Sequence, residues 1–407
     1  MSVKIIPGKK LAGEVNLTPS KSISNRVLLI DALSEVKNDI RNLSHSTDTE
    51  VLTSILKNPG SVCDAGDAGT AFRFLTAYLA TRSGGEFVLT GSERMKVRPC
   101  GPLVESLNSL GCKIGYQDRE GYPPLKIRGM MIKGGKVSID ANISSQFTSA
   151  LLLIGPSLQD GISVELTGKV VSKSYLDLTA DVMRMFGAQV SASGNVYTVN
   201  PHPYQLTQFT VENDWSSASY WYLFAACSEE ADLVLKGISL DSKQGDSVIA
   251  AIAEKFGVIS EAVQGGVRIR KVPVELPEFF PYDFTSCPDL VMTMAVMCAV
   301  FRIQASFTGV KNLRIKESNR LIALQTEMSK AGVDVHNFED ELRIDPSDKF
   351  VKVKSFSSHN DHRMVMSFSA FSFVFGKLVI DDPAPVKKSY PEFLDDLRSV
   401  GITVEME

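Results

Sequence analysis

The most constraining feature of the sequence is a repeat in which an amphipathic helical stretch ends in glycine and continues at once as a short strand. The pattern occurs in SLGCKI, MFGAQV, KFGVIS, KAGVDV and SVGITV, whose glycines are residues 111, 187, 257, 332 and 401. Successive glycines are 76, 70, 75 and 69 residues apart, so about six units fill the 407 residues, with a weaker sixth copy near Pro59, Gly60 and Val62. Glycine suits the left-handed position after a helix, where a side chain costs energy. Units of this length exceed solenoid repeats and predict small globular modules.

About two helical stretches lie in each unit, separated by segments rich in valine and isoleucine. Helices are predicted over residues 24–33, 49–57, 70–80, 102–110, 145–153 and 174–186, and again over 216–226, 246–256, 289–301, 317–331, 362–375 and 391–400. Two equal sets of helices predict two similar domains. Because some short strands follow one another directly, mixed sheets of the α+β class are expected rather than one parallel sheet.

Composition and charge exclude several classes of protein. The 43 Lys and Arg against 47 Asp and Glu give a net charge of −4, so the chain has no basic surplus for nucleic acid. The longest apolar run, 290–301, is well below the ~20 residues that cross a bilayer, and no secretory leader is read at the N-terminus. The six cysteines form no CxxC pair and the histidines have no ligand set around them. A cytoplasmic protein without a metal site is expected.

Two motifs in the first half combine cations with a helix start. PSKSISNR (19–26) places Lys21, Ser22 and Arg26 at a helix entrance, where free N–H groups favour an anion. GDAGTAFR (66–73) has a flexible backbone at Gly69 and places Arg73 on the same helix face. Each motif could equally be an ordinary cap or turn with solvated charges. Each motif alone is weak evidence, but both predict a site for a phosphate or carboxylate ligand.

A third cationic motif, ERMKVRP (93–99), has a different pattern. Arg94, Lys96 and Arg98 alternate, which predicts a strand with three cations on one face. Like charges in such a row repel one another unless an anion neutralises them, although a solvated edge strand would also explain the row.

The second half repeats the cationic theme and adds carboxylates. RIKESNR (314–320) places Lys316, Glu317 and Arg320 in what is predicted as the first turns of a helix, and CPDLVMTM (287–294) places Asp289 at a helix start. A carboxylate among cations becomes more basic when an anion binds those cations, which suits proton transfer. Surface ion pairing and N-capping are the structural alternatives. NDHRM (360–364) and KKSYP (387–391) add further cations. If all converge, the predicted pocket holds a multiply charged anion, and its cations are Lys21, Arg26, Arg73, Arg98, Lys316, Arg320, Arg363 and Lys388.

The motifs together resemble the 5-enolpyruvylshikimate-3-phosphate (EPSP) synthase family. The resemblance runs from about Lys9 to Pro391 and also includes SSQF (144–147), SKSYLDLT (172–179) and DWSSASY (214–220). It implies an α+β fold, a two-domain inside-out α/β barrel in which each domain contains three βαβαββ units. The implied domains are 1–20 plus 214–407, and 21–213, with the active site in the cleft between them.

The resemblance also implies a reaction and its residues. In that family the 5-hydroxyl of shikimate 3-phosphate attacks C2 of phosphoenolpyruvate (PEP), C3 is protonated, and a tetrahedral intermediate expels phosphate without a cofactor. Asp289 would take the hydroxyl proton and Glu317 would protonate C3, assisted by Lys316 and Lys21. Shikimate 3-phosphate would be bound by Lys21, Ser22, Arg26, Ser144, Ser145, Gln146, Ser172, Tyr175, Asp289, Asn312 and Lys316. PEP would be bound by Lys21, Gly69, Arg98, Gln146, Arg320, Arg363 and Lys388, supported from behind by Arg73 and His362.

Two departures and two alternatives accompany the resemblance. Asp67 stands where the family usually has Asn and should weaken PEP binding, and Phe74 stands where it usually has Pro, so sensitivity to the inhibitor glyphosate stays open.

The related UDP-N-acetylglucosamine enolpyruvyl transferase family has a loop cysteine five residues before its Arg-Pro pair, where this chain has Glu93, and Cys100 comes too late for that role. A non-catalytic, RNA-terminus-binding relative would lack the acid and base. A monomer is expected.

Overall fold

The computed structural model describes residues 2–205, 208–346 and 348–407. The chain forms two compact units: unit 1 comprises Met1–Pro19 and Glu212–Glu407, and unit 2 comprises Ser20–Val211. Each unit has its own hydrophobic core, formed by the apolar faces of its helices and sheets. The domain boundaries implied by the resemblance lie after residues 20 and 213.

Unit 1 begins with two strands, and the chain then builds unit 2 from three groups of elements. The strands are β1 (Ser2–Ile6) and β2 (Lys10–Asn16). The first group of unit 2 contains α1 (Lys21–Leu33), β3 (Asp39–Arg41) and α2 (Thr47–Lys57). The second contains β4 (Val62–Asp64), α3 (Gly69–Ala80), β5 (Glu86–Thr90), α4 (Glu93–Lys96), α5 (Gly101–Ser109), β6 (Lys113–Tyr116) and β7 (Leu125–Arg128). The third contains β8 (Gly135–Asp140), α6 (Ser145–Ile154), β9 (Ile162–Thr167), α7 (Lys173–Met185), β10 (Val190–Ser193) and β11 (Val196–Val199), and β12 (Gln208–Thr210) returns to pair with β3.

The rest of unit 1 also falls into three groups. The first contains α8 (Trp215–Cys227), β13 (Glu230–Lys236), α9 (Ile249–Ala253), β14 (Val258–Val263) and β15 (Gly266–Lys271). The second contains β16 (Phe279–Asp283), α10 (Val291–Val300), β17 (Gln304–Thr308), α11 (Arg320–Lys330), β18 (Val333–Asn337) and β19 (Glu341–Pro346). The third contains β20 (Ser355–Ser357), α12 (His362–Phe368), α13 (Ser372–Phe375), β21 (Leu378–Asp381), α14 (Phe393–Ser399) and β22 (Thr403–Met406). The N-terminal strands β2 and β1 complete the sheets of the first and third groups.

The sheets are mixed, as the sequence predicted. In each of the five four-stranded sheets one pair is parallel, for example β4 with β5 and β16 with β17. A hairpin adds the antiparallel strands in four of them, and β1 with β22 adds them in the fifth. The predicted glycine stops are also confirmed: φ is +95° at Gly111, +82° at Gly187, +77° at Gly257, +78° at Gly332 and +100° at Gly401. A side chain is disfavoured at each of these angles.

The first group of unit 2 differs from the predicted βαβαββ pattern. Within the described residues its sheet has only β12 and β3, and no hairpin follows α2. The weak sixth copy predicted near Gly60 is therefore wrong: α2 ends at Lys57, Gly60 has no positive φ, and Val62 begins β4, the first strand of the next group. The chain passes from α2 to β4 in a few residues, which leaves no length for two strands.

Several predicted elements have other bounds for local reasons. Residues 93–96 form the one-turn helix α4 instead of a strand, because the Ser92 hydroxyl accepts a hydrogen bond from the Met95 N–H. The helix predicted from Glu317 begins at Arg320, where the Asn319 side chain caps it. Lys316 and Glu317 thus precede the helix and follow the 3-10 turn Lys311–Ile315. The stretches 246–256 and 362–375 each combine short α and 3-10 turns.

Candidate functional site

In unit 1 a fully buried arginine joins three carboxylates from separate segments. The Arg320 guanidinium at the start of α11 donates to Asp289 Oδ1 at 3.0 Å, to Glu317 Oε2 at 2.8 Å and to Asp361 Oδ2 at 2.9 Å. Its side chain is 1% exposed, and these carboxylates raise its pKa against the effect of burial. The planar fork of arginine provides the separate donors that this arrangement requires. The two predicted proton-transfer residues, Asp289 and Glu317, are therefore held in one cluster.

Two further predicted cations contact the same cluster. Arg363 Nη2 lies 3.0 Å from Asp289 Oδ2, and its Nη1 donates to the Tyr220 hydroxyl at 3.2 Å. Lys388 Nζ lies 3.8 Å from Glu317 Oε1. Burial raises the pKa of Tyr220 to about 12, so this hydroxyl stays protonated at neutral pH. Each predicted proton-transfer carboxylate, Asp289 and Glu317, thus has two cationic neighbours that could instead bind a phosphate or carboxylate ligand.

Asp361 anchors the segment that carries His362 and Arg363. It is fully buried, and its Oδ1 accepts from the Arg363 N–H at 3.0 Å and caps α12. Burial alone would raise the pKa of Asp361, but the charges of Arg320 and His362 lower it overall, so it remains a carboxylate. His362 is also buried, with Nδ1 3.7 Å from Asp361 Oδ1. This position behind Arg363 fits the supporting role that the resemblance implies.

Sequence reasoning missed one buried carboxylate beside this cluster. Asp246 accepts a hydrogen bond from the Ser216 hydroxyl, and no described residue donates to its Oδ1. Burial, followed by the negative charge of Asp289, raises the pKa of Asp246 to about 7. In the sequence it resembled an ordinary helix cap at the start of residues 246–256. Only its burial distinguishes Asp246, and burial depends on tertiary packing that the sequence does not show.

Two other predicted ligands lie near the start of α11. Asn312 is buried within the 3-10 turn that precedes Lys316, and no described residue donates to its Oδ1. A buried amide oxygen without a donor is costly, and a ligand hydroxyl would supply the missing hydrogen bond. Lys316 is half-buried and directly precedes Glu317 in the chain.

In unit 2 the predicted anion-binding residues Gly69 and Arg98 lie in contact. A methyl group built on Gly69 would come within 2.6 Å of Arg98 Nη1 and 2.8 Å of Nη2. Arg98 is 6% exposed, and within the described part of the chain its Nε has no acceptor and its guanidinium no ion pair. Arg73 lies on the other side of Gly69, whose carbonyl accepts from Arg73 Nη1 at 3.0 Å. Positive charge therefore concentrates at the N-terminus of α3, where the backbone N–H groups also favour an anion.

Helix α6 packs against α3 and brings its own predicted residues alongside. Gln146 Nε2 donates to the Thr70 hydroxyl, next to Gly69, at 3.0 Å. Ser144 caps α6, and Ser145 is its first residue. The three predicted α6 residues thus lie at its N-terminus, with one connected directly to the Gly69 region.

Arg26 is buried against neutral oxygens. Its guanidinium donates to Thr179 Oγ1 at 2.8 Å, to the Ser22 carbonyl at 2.7 Å, to the Tyr175 carbonyl at 3.1 Å and to Ser149 Oγ at 3.4 Å. Because burial is not offset by a carboxylate, the pKa of Arg26 falls to about 10. A buried cation without a counter-charge is costly, and an anionic ligand would reduce that cost.

Two more helix starts complete the set in unit 2. Lys21 opens α1 with its Nζ 3.1 Å from Asp48 Oδ2. Ser172 precedes α7 with φ +56° and ψ +42°, a left-handed conformation that is strained for serine. Strain of this kind is typical of positions that aim a group at a ligand. The predicted lysine and serines of unit 2 therefore lie at or next to the N-termini of α1, α6 and α7, and Gly69 begins α3. Helix α6 contacts α1, α3 and α7.

The structure shows the surroundings of Asp67 and Phe74, which depart from the family pattern, and of Cys100. Asp67 accepts a hydrogen bond from the Ser92 hydroxyl. The Phe74 ring is buried, with the Arg26 Cζ 5.7 Å from its centroid, so an aromatic face supports that cation. Cys100 is buried, and burial raises the pKa of its thiol to about 12, which disfavours the reactive thiolate.

A family model described as EPSP synthase (3-phosphoshikimate 1-carboxyvinyltransferase) matches residues 5–61 and 53–397. The chain belongs to this family. A 3-phosphoshikimate 1-carboxyvinyltransferase from Bacteroides fragilis is 41% identical over 400 residues, covering 98% of this chain and 97% of the relative. A protein of the same name from Sulfurovum sp. is 36% identical over 429 residues, covering 98% and 99%. Membership of the family agrees with the ordered motifs of the sequence.

Solved structures agree on the fold. An EPSP synthase from Acinetobacter baumannii superposes with a TM-score of 0.76 at 23% identity and full coverage of both chains. An enolpyruvyl transferase from Streptomyces tendae superposes with a TM-score of 0.74 at 14% identity, covering 99% of this chain and 98% of the other. The chain therefore has the two-domain α+β fold that the resemblance implied.

The comparisons also bear on the region after α2, where this chain has no hairpin in its described residues. The two segments matched by the family model meet over residues 53–61, the end of α2 and the approach to β4. The alignment with the Sulfurovum protein is also longer than that with the Bacteroides protein, although both cover 98% of this chain. The family model is thus matched in two segments where this chain lacks a hairpin, and the longer alignment shows that the Sulfurovum protein has residues that this chain lacks.

The described residues contain no helix long and apolar enough to span a membrane and no cluster of three or more His, Cys, Asp or Glu side chains suited to a metal. All six cysteines are unpaired.

Proposed function

We propose that this chain transfers the enolpyruvyl group of PEP to the 5-hydroxyl of shikimate 3-phosphate, with release of phosphate, as a step of the shikimate pathway to chorismate. The observation that carries the proposal is the cluster in which Arg320 holds both Asp289 and Glu317 while Arg363 and Lys388 contact the same carboxylates. A cluster with separate acid and base groups and surrounding cations is what addition to PEP requires. The family membership supports the same reaction.

The proton steps follow from the charges in the cluster. The hydroxyl oxygen bonds to C2 of PEP while its proton passes to Asp289, and Glu317 delivers a proton to C3. In the resulting tetrahedral intermediate the C2–phosphate oxygen bond breaks and a proton of the new methyl group returns to Glu317, which restores the carbon–carbon double bond and releases phosphate. The phosphate and carboxylate of PEP compete with Asp289 and Glu317 for the N–H groups of Arg320, Arg363 and Lys388, so substrate binding makes both carboxylates more basic.

The anion-binding residues of unit 2 have distinct proposed tasks. Arg98 and Gly69 bind PEP, while Arg26, the serines at the starts of α6 and α7, and Tyr175 bind shikimate 3-phosphate. Lys21 bridges the two substrates. Under this proposal a variant at any of these residues should affect the one reaction.

The test is phosphate release by the purified protein with PEP and each of two acceptors. We expect release with shikimate 3-phosphate and none with UDP-N-acetylglucosamine. Asp289→Asn and Glu317→Gln should each lower kcat at least ~100-fold, the size of a general acid or base contribution, while the matched control Asp334→Asn, at an exposed strand position, should keep full activity. Full activity in either site variant would refute its role, and release with the nucleotide sugar alone would refute the acceptor.

We also propose that the protein acts as a monomer in the cytoplasm, which the unpaired cysteines support. Light scattering coupled to gel filtration should give the mass of one 44.4 kDa chain. A dimer mass at the concentration of the assay would contradict this.

A further inference from the structure

The segment immediately before Asp361 has a costly backbone conformation. His359 and Asn360 both have positive φ, +50° and +54°, although neither is glycine. Two consecutive left-handed residues of this kind are rare and persist only where the surroundings hold them. Because Asp361, His362 and Arg363 follow directly, this conformation decides where those side chains lie.

The group that holds the segment is a buried carboxylate on α11. Glu327 is 1% exposed, its Oε1 lies 2.7 Å from His359 Nε2, and its Oε2 accepts from the Ser357 N–H at 2.9 Å. Lys330 Nζ donates to the same Oε2 at 2.6 Å. Burial alone would raise the pKa of Glu327, but these hydrogen bonds lower it overall, so it holds the segment as a carboxylate.

Helix α11 therefore holds the segment at both ends. Arg320 in its first turn binds Asp361, and Glu327, about 10 Å further along the helix, binds Ser357 and His359. A helix is a rigid support, so the two attachments fix the spacing between the left-handed pair and the cluster. This role could not be predicted, because in the sequence Glu327 is one of several charged residues of a helix, and its burial depends on tertiary packing.

We propose that Glu327 and His359 are positioning residues that hold the 357–361 segment so that Asp361 orients Arg320 and Arg363 toward PEP. The inference rests on the proposed function for the identity of the ligand. Neither residue is part of the reacting cluster, and both act through Asp361. Loosening the segment should weaken the binding of PEP more than that of shikimate 3-phosphate, whose proposed ligands lie mostly in unit 2.

The kinetic test uses Glu327→Gln and the milder His359→Ala, since the His359 side chain is 29% exposed and its loss leaves the Ser357 contact in place. Each should raise KM for PEP about tenfold, the effect of one weakened charge-assisted hydrogen bond, and change KM for shikimate 3-phosphate less than twofold. Thr326→Ala is the matched control, because Thr326 is exposed on the same helix and its loss leaves the bonds of Glu327 to the segment intact. It should leave both KM values unchanged.

A rescue experiment separates positioning from general loss of structure. Asn360→Gly removes the cost of positive φ at that position, so adding it to Glu327→Gln should recover part of the lost PEP affinity. An equal rise in both KM values, or none in both variants, would overturn the proposal. Failure to rescue with an unchanged melting temperature would do the same.

Hydrogen exchange, which needs no substrate, tests the attachment of the segment independently of the proposed reaction. Hydrogen exchange of the amides of residues 357–363 should be at least tenfold faster in Glu327→Gln than in the wild type and unchanged in Thr326→Ala. If the wild type lacks transferase activity but this difference appears, the proposed function fails while the attachment stands. Equal exchange in all variants would refute the attachment itself.

Discussion

Replacing Gly69 by alanine tests whether Arg98 is held in a binding position by contact with the backbone of α3. The added methyl group would lie 2.6 Å from Arg98 Nη1, 2.8 Å from Nη2 and 2.9 Å from Cζ. An ordinary contact needs at least 3.4 Å, so the guanidinium must retreat by about 0.8 Å. Since Arg98 is 94% buried, it cannot simply swing into solvent.

The expected effect is selective. A misplacement of about 1 Å in a positioning group costs up to ~100-fold, so Gly69→Ala should raise KM for PEP about 10- to 100-fold and leave KM for shikimate 3-phosphate within about threefold. Stability should change by less than about 1 kcal/mol, because Gly69 has an ordinary φ and alanine favours a helix. Steady-state kinetics in both substrates and urea unfolding measure these quantities.

The matched control is Gly115→Ala. Gly115 lies in β6 of the same unit, has no positive φ, and a methyl group there meets nothing within 4 Å. It should leave both KM values unchanged. A Gly69→Ala variant with wild-type KM for PEP would show that Arg98 does not bind PEP, or that its position tolerates the shift, and either result refutes the reasoning.

Two further predictions concern buried charges in unit 1. Because folding raises the pKa of Asp246 from 3.8 to about 7, its contribution to stability is fully present below about pH 4 and is lost as the pH rises through 7. Asp246→Asn should therefore gain stability relative to the wild type between pH 5 and pH 8, by roughly 1–4 kcal/mol in urea unfolding, and a pH-independent difference would contradict the assignment. Arg320→Met leaves the buried Asp361 and the part-buried Asp289 and Glu317 without their shared donor and should cost about 3–5 kcal/mol, whereas unchanged urea unfolding at pH 7 would show that the cluster is not held by this arginine.

The features that the sequence predicted best are those with a local physical cause. The five glycine stops could be predicted because positive φ after a helix excludes most other residues. Arg320, Arg363 and Asp289 could be placed near helix starts because charge and capping patterns are local. The absence of a hairpin after α2 was not predictable in this way, because a glycine near residue 60 looks locally like the other stops.

The errors in the site have a different origin. The alternation of Arg94, Lys96 and Arg98 fits a strand, but one hydroxyl cap at Ser92 turns the chain into α4. Asparagine is a favoured N-cap residue, so a helix start at Asn319 could have been predicted. That prediction would have placed Glu317 outside the helix, where the structure has it. Asp246 and Glu327 could not be found, because their significance comes from burial and from partners about 30 residues away.

The predicted anion-binding arginines of the two units have different partners, although Lys21 of unit 2 also lies 3.1 Å from a carboxylate, Asp48. In unit 1 Arg320, Arg363 and Lys388 lie against the carboxylates of Asp289 and Glu317. Under the proposed function these carboxylates exchange protons and therefore need cations that a substrate can draw away. In unit 2 Arg26 bonds only to neutral oxygens, and Arg98 has no ion pair in the part of the chain that the structure describes. A competing carboxylate there would lower affinity for a phosphate without contributing to proton transfer. Anion binding and proton transfer thus make opposite demands on the same residue type, and separate units of one chain meet them.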